Sequence, residues 1–215
     1  MSLSVIKEVI TQQEHSLGLA LGKIKLIAVS KMQPEDRVRA VLKQGHSVFG
    51  ENKVQEAISR WSKFKQEFSD VELHLLGPLQ SNKVRQALEL FDFIHSLDGV
   101  KLAKRIAHIR DVVGKCPKLF IQVNTGDEPQ KSGVRLDDLD ELLGVCSELS
   151  LPVIGLMCIP PANLDPKPHF DQLYKLAYER NLKELSMGMS GDFNEAISSG
   201  ATYIRVGSAI FGERP

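Results

Sequence analysis

Residues 203–212, Tyr203-Ile204-Arg205-Val206-Gly207-Ser208-Ala209-Ile210-Phe211-Gly212, read as a short apolar strand, a bend of small residues and the first turn of a helix. The same phrase recurs upstream. Working back, strands are read at Glu184 to Ser186, Val153 to Met157, Lys118 to Val123, Phe93 to His95, Glu72 to Leu76, Ser47 to Phe49 and Ile24 to Ser30. Helical runs follow each of them: from Pro34 to a stop at Gly45, then Asn52 to Glu67, Ser81 to Leu90, Asp98 as cap to about Arg110, Asp137 to Leu149, Pro166 to Arg180, and Ser190 to Ser198. An amphipathic helix over Leu3 to Leu17 precedes the first strand.

Eight β-then-α units predict an α/β fold, a single parallel (β/α)8 TIM-type barrel with an extra N-terminal helix. A doubly wound open sheet is the alternative. No Gly/Ser linker or composition shift divides the chain, so residues 1–215 are expected to form one domain. At this length about 70% of the unfolded surface should be buried, and no disulfide or metal staple is needed.

Lys plus Arg number 27 and Asp plus Glu 27, so no overall field draws nucleic acid or an anionic membrane. The basic run Lys101, Lys104, Arg105, Arg110, Lys115, Lys118 reads as the solvated side of a helix and its exit. Cys116, Cys146 and Cys158 lie apart in apolar surroundings and read as buried thiols of a reducing compartment. The longest apolar run, Pro152 to Pro161, is too short for a membrane helix, and Met1 to Ile10 is not a secretory signal. A cytoplasmic protein is expected.

Barrel sites lie at the carboxyl ends of the strands, with phosphate often held after strands seven and eight. There the chain carries Met187-Gly188-Met189-Ser190-Gly191-Asp192 and Gly207-Ser208-Ala209. Glycine admits close backbone approach, serine offers a hydroxyl and helix-start N–H groups face an anion. Turn chemistry alone explains either loop; together they suggest a phosphate cup. Lys31 ends the first strand, which in a closed barrel pairs with the eighth, so its amine would stand beside that cup. A lysine held partly out of water can form a Schiff base with an aldehyde. Arg205, within an apolar strand, requires either a structural acid or a ligand, because it cannot shed its charge.

Five blocks carry a resemblance: Ala28-Val29-Ser30-Lys31, Phe49-Gly50-Glu51-Asn52, His74 through Lys83, Ser186 through Asp192, and Arg205 through Gly212. In this order they resemble the pyridoxal phosphate homeostasis protein family, which looks like the barrel of alanine racemase standing alone. The resemblance runs from Ile24 to Arg214. It implies pyridoxal 5'-phosphate as cofactor, held as a Schiff base on Lys31. It further implies a phosphate bound by Ser190, Gly207 and Ser208, with Arg205 facing the pyridine nitrogen and Asn52 beside the cofactor. Asn124, Lys131 and Gly133 resemble a further family block and receive no role. Ser208 stands where threonine is frequent, and Met32 where a small polar residue is.

The implied role is a carrier or buffer in vitamin B6 homeostasis without established catalysis, monomeric, with apo pyridoxal phosphate enzymes as recipients. An arginine opposite the ring nitrogen is a poor partner for a protonated pyridinium. A racemase also needs a second acid or base, and the barrel is expected to use the whole chain. His74 could serve, or be a satisfied structural residue. A racemase-like enzyme and a Schiff-base aldolase remain the alternatives.

Overall fold

In the computed structural model, which describes residues 2–213, β1 (Lys25–Val29), β2 (Val48–Glu51), β3 (Glu72–Leu75), β4 (Phe93–Leu97), β5 (Lys118–Gln122), β6 (Val153–Met157), β7 (Glu184–Met189) and β8 (Tyr203–Val206) close into a barrel. Every strand pair is parallel, and β8 pairs with β1 through Lys25↔Tyr203, Leu26↔Ile204, Ile27↔Arg205 and Ala28↔Val206. The open-sheet alternative is thereby excluded. Arg214, the end of the resembling stretch, and Met1 lie outside the described residues.

Helices α1 (Leu3–Ser16), α2 (Glu35–Lys43), α3 (Val54–Glu67), α4 (Val84–Leu90), α5 (Val100–Val113), α6 (Leu139–Glu148), α7 (Lys167–Glu179), α8 (Phe193–Ser198) and α9 (Ser208–Phe211) alternate with the strands. Their apolar stripes make the larger core: Val54, Ala57, Trp61 and Phe64 of α3 are buried at helical spacing against strand residues such as Phe49. Among the described residues no helix is long and apolar enough to cross a membrane.

Two expected boundaries move. Asp98 does not cap α5; Gly99 occupies the cap, and the Asp98 carboxyl accepts from its own backbone N–H and that of Gly133. Strand β7 runs on to Met189 and α8 starts only at Phe193, so Ser190 sits in a turn rather than at a helix start. Gly188 makes this possible. It adopts φ +88°, and a Cβ there would meet Ala196 Cβ at 2.5 Å, so the strand continues beneath α8 only without a side chain. Cys146 and Cys158 are buried as expected, whereas Cys116 is half-buried; burial pushes the three thiols to about 11, 12 and 11 for Cys146, Cys158 and Cys116.

The barrel interior is a second, smaller core of Ile27, Leu76, Phe93, Phe120, Met157 and Tyr203. Two histidines complete it: His74 stacks on Phe93 with ring centroids 4.4 Å apart, and His95 on Phe120 at 4.2 Å. Burial lowers the pKa of both, and lowers that of His46 to about 4.

These depressed values fix a pH dependence. The unfolded chain takes up histidine protons near pH 6.5, the folded chain only well below it. Below about pH 6.5 the unfolded state therefore binds more protons, and stability falls as pH drops. For His46 the window extends to about pH 4 and is worth up to about 3 kcal/mol. Urea midpoints are expected to be flat from pH 8 to 7 and to decline from pH 6.5 to 5, with a shallower decline in His46→Gln.

Candidate functional site

With all strands parallel, their carboxyl ends share one rim, and a cavity of about 150 Å³ opens there. Lys31, Asn52, Ser190, Arg205, Gly207 and Ser208 all line it, so the six residues singled out in the sequence meet in one place. Val29, Gln33, Leu76, Ile159 and Met189 complete the wall. Two cations, two amides and two hydroxyls face the space, and among the described residues no carboxylate does.

Lys31 lies in a turn two residues beyond β1 and is half-buried. Met32, next to it, has φ +57° with its side chain 60% exposed. A left-handed non-glycine residue costs about 1 kcal/mol, so the surroundings must impose the turn. They do so through α3. Arg60 Nη1 donates to the Ser30 carbonyl at 2.8 Å and Nη2 to the Gln33 carbonyl at 2.5 Å, clamping the backbone on both sides of Lys31. Arg60 is held in turn by Glu51, whose Oε1 accepts from Arg60 Nη1 (2.9 Å), Ser30 Oγ (2.7 Å) and Trp61 Nε1 (3.0 Å).

Asn52 follows β2 directly. Its backbone is seated against Gly77, where a Cβ would come within 2.2 Å of the Asn52 carbonyl oxygen. On the facing side the pairing of β8 with β1 brings Gly207 against Val29, whose carbonyl a Gly207 Cβ would meet at 3.2 Å. Gly207 N–H donates to Ser190 Oγ at 3.4 Å, and Ser208 Oγ lies 3.4 Å from the same oxygen. These contacts are long for hydrogen bonds, so three donors converge on one point while holding each other weakly. Asp192 Oδ1 accepts from Met189 N–H at 2.6 Å and fixes the turn that carries Ser190.

Arg205 is 5% exposed. Its partners are uncharged: Nη1 donates to Ser186 Oγ at 2.8 Å and Nη2 to the Cys158 carbonyl at 2.9 Å. Burial pulls its pKa below the ordinary arginine value, yet a guanidinium keeps its proton. A structural ion pair is therefore not what Arg205 makes.

Asn124, Lys131 and Gly133 do not line the cavity. Asn124 Nδ2 donates to the Glu128 carbonyl at 2.8 Å, Lys131 pairs with Glu128 at 2.5 Å, and Gly133 packs against the Asn124 backbone. His74 lies inside the barrel, hydrogen-bonded at both ring nitrogens. Glu51, Arg60, Gln33 and Ser186 were not read from the sequence as site residues. Glu51 adjoins Asn52 in a quoted block, but nothing in the spacing of Arg60 links it to Lys31.

A closed parallel barrel with an amine beyond its first strand and converging hydroxyls beyond its last two defines a protein suited to a small anionic ligand beside a nucleophile. Residues 16–215 match the family described as alanine racemase, N-terminal domain. The pyridoxal phosphate homeostasis protein of Vibrio alginolyticus is 38% identical over 95% of this chain and 93% of its own. That of Escherichia coli K12 is 34% identical over 99% and 95%. The structure of PipY from Synechococcus elongatus with pyridoxal phosphate bound shares 40% identity, with a TM-score of 0.83 over 94% of this chain and all of that one. An alanine racemase from Clostridium difficile shares the fold, with a TM-score of 0.71 at 12% identity over 90% of this chain and 53% of its own. The chain belongs to the pyridoxal phosphate homeostasis proteins within the alanine racemase N-terminal-domain family.

The clamp makes a specific demand. Arg60→Ala leaves Glu51 buried without its cation and frees the Ser30 and Gln33 carbonyls; losing one partner of a buried pair costs about 3–5 kcal/mol. Urea unfolding followed by circular dichroism should show a loss of that order, whereas Arg39→Ala, from an exposed pair with Glu67, should shift the midpoint far less.

Proposed function

We propose that this chain binds pyridoxal 5'-phosphate in the rim cavity and serves as a carrier or buffer of that cofactor in vitamin B6 homeostasis. One observation carries the reading: the Lys31 amine shares a small cavity with three converging neutral donors and, among the described residues, no carboxylate. The donor set fits the group. Ser190 Oγ, Ser208 Oγ and Gly207 N–H would take the phosphate, with the first N–H groups of α9 beside them. A Cβ at Gly207 would crowd the Val29 carbonyl, so the residue there brings only its backbone to the cavity. Because Ser190 is on a turn and α9 is a single helical turn, hydrogen bonds at about 1.5–3 kcal/mol each outweigh any dipole contribution. Asn52 would lie beside the ring and Arg205 would face its nitrogen.

Pyridoxal phosphate supplies an aldehyde that condenses reversibly with a lysine amine, releasing water. The role of this chain is to orient that amine: Arg60 and Glu51 hold the Lys31 turn while the serine cup holds the anion. Relatives named for pyridoxal phosphate homeostasis, and a PipY structure titled as binding it, support the same cofactor. The carrier reading is favoured over the racemase and aldolase readings by Arg205. Among the described residues its buried guanidinium has no hydrogen-bonded carboxylate, so the site would offer no group to hold a ring proton, and the ring would remain a poor electron sink. A cytoplasmic monomer, one barrel domain over residues 1–215, and delivery to apo pyridoxal phosphate enzymes belong to this proposal.

The purified protein should be yellow, and borohydride reduction followed by peptide mass spectrometry should place the modification on Lys31. Lys31→Ala should abolish it, and Ser190→Ala or Ser208→Ala should weaken retention about tenfold each. Modification of another lysine in wild-type protein would overturn the assignment. Exchange of an amino-acid α-proton at about 1 to 10³ per second would restore the racemase.

A further inference from the structure

Five side chains form a line along the inside of the barrel. Arg205 Nη1 donates to Ser186 Oγ at 2.8 Å, and Ser186 Oγ lies 2.8 Å from His95 Nδ1. His95 Nε2 is 2.8 Å from His74 Nδ1, and His74 Nε2 is 2.9 Å from Glu72 Oε1. Arg205 lines the rim cavity. Glu72 begins β3 and opens instead on a crevice shared with Lys7, Lys25, His46 and Asp70 at the amino ends of the strands. The line therefore joins the two ends of the barrel.

Its polarity follows from the groups at its ends. A guanidinium only donates and a carboxylate only accepts. Burial keeps both imidazoles neutral, each with one N–H and one lone pair. Burial works against the Glu72 charge, but the His74 hydrogen bond and nearby Lys25 and Lys118 carry its pKa down, so it stays a carboxylate. One arrangement then satisfies every member. Arg205 donates to Ser186, the Ser186 hydroxyl to His95 Nδ1, His95 Nε2–H to His74 Nδ1, and His74 Nε2–H to Glu72. Each neutral link passes its polarisation to the next, and the low-dielectric interior strengthens the series. Stacking on Phe93 and Phe120 holds the rings in the required planes.

The geometry points to Ser186, His95, His74 and Glu72 as positioning residues for Arg205: a one-way hydrogen-bond chain that presents the guanidinium to the cavity as a pure donor and answers its charge from the far end of the barrel. The ligand arm of this inference rests on the pyridoxal phosphate reading. There, an unprotonated ring nitrogen would meet an arginine N–H whose aim depends on a carboxylate that never touches the ligand.

Nitrogen-resolved NMR of the histidine side chains, on the protein without added cofactor at pH 7, tests the polarity. His74 and His95 are expected to be neutral with the proton on Nε2. A proton on Nδ1 of either ring, or an imidazolium, overturns the chain. The second arm loads the protein with pyridoxal phosphate and records its visible spectrum. Ser186→Ala is expected to displace the absorption maximum and weaken retention about tenfold, and Ser186→Thr to restore both. Glu72→Leu, outside the cavity, should displace the maximum in the same direction as Ser186→Ala. Wild-type spectra in Ser186→Ala or in Glu72→Leu overturn the inference. A colourless wild-type protein overturns the cofactor reading instead, and the histidine protons then decide the chain alone.

Discussion

The pairing of β8 with β1 is the constraint on which the site depends. Four register pairs, from Lys25↔Tyr203 to Ala28↔Val206, fix where the last strand stands against the first. A parallel strand rises about 3.3 Å per residue, so a slip of two residues would carry Gly207 and Ser208 about 6.6 Å from their level beside Lys31. A slip of one would turn Arg205 out of the barrel and an apolar neighbour in. Lys31 and its facing donors on Ser190, Gly207 and Ser208 stand far apart in the chain, and closure alone makes them neighbours.

Closure also creates a cost. The interior must be filled, and here the fill includes Arg205, His74, His95 and Ser186, each of which loses water. A buried polar group without a partner costs about 1–3 kcal/mol, more for a charge. Four such groups would be hard to carry in a protein stabilised by about 5–15 kcal/mol overall. Linking them in one directed series removes the penalty group by group, and ties the conformation of Arg205 to a single polarity. The same interior packed with leucine would cost less to desolvate, but would present no donor to the cavity.

Much of this was legible in the chain. Strand β6 was read to its residue boundaries, and the eight-fold alternation with an opening helix predicted the barrel. All six candidate site residues stand at strand exits or in β8, and strand exits share a rim in any parallel barrel, so their meeting follows from topology. What escaped was whatever depends on contact between elements. Asp98 has the chemistry of a cap, but the Gly133 N–H competes for its carboxyl. Ser190 looked like a helix start because small residues after a short strand read as the turn into a helix; in the fold Gly188 is the residue that lets β7 slide under α8. Arg60 stands on a helix whose apolar period explains its neighbours Ala57, Trp61 and Phe64, and no periodicity marks it as the clamp on the Lys31 turn. His74 and His95, 21 residues apart, match no ligand spacing. Their relation appears only when β3 and β4 lie side by side.

The character of the proposed phosphate grip bears on carriage as opposed to catalysis. Arginine would bind a phosphate by two parallel charged hydrogen bonds, about twice as strong as neutral ones. The cup has none: it offers two hydroxyls and backbone N–H groups, while Arg205 is tied to Ser186 and the Cys158 carbonyl. The proposed lysine linkage would be reversible in water. A ligand held by one reversible bond and several neutral donors is retained against dilution yet leaves by a path with no single strong contact to break. That combination suits a protein that must surrender what it holds. An enzyme that keeps its cofactor through many turnovers gains from the opposite arrangement, and from a carboxylate at the ring nitrogen, where on the proposed reading this barrel would place a donor.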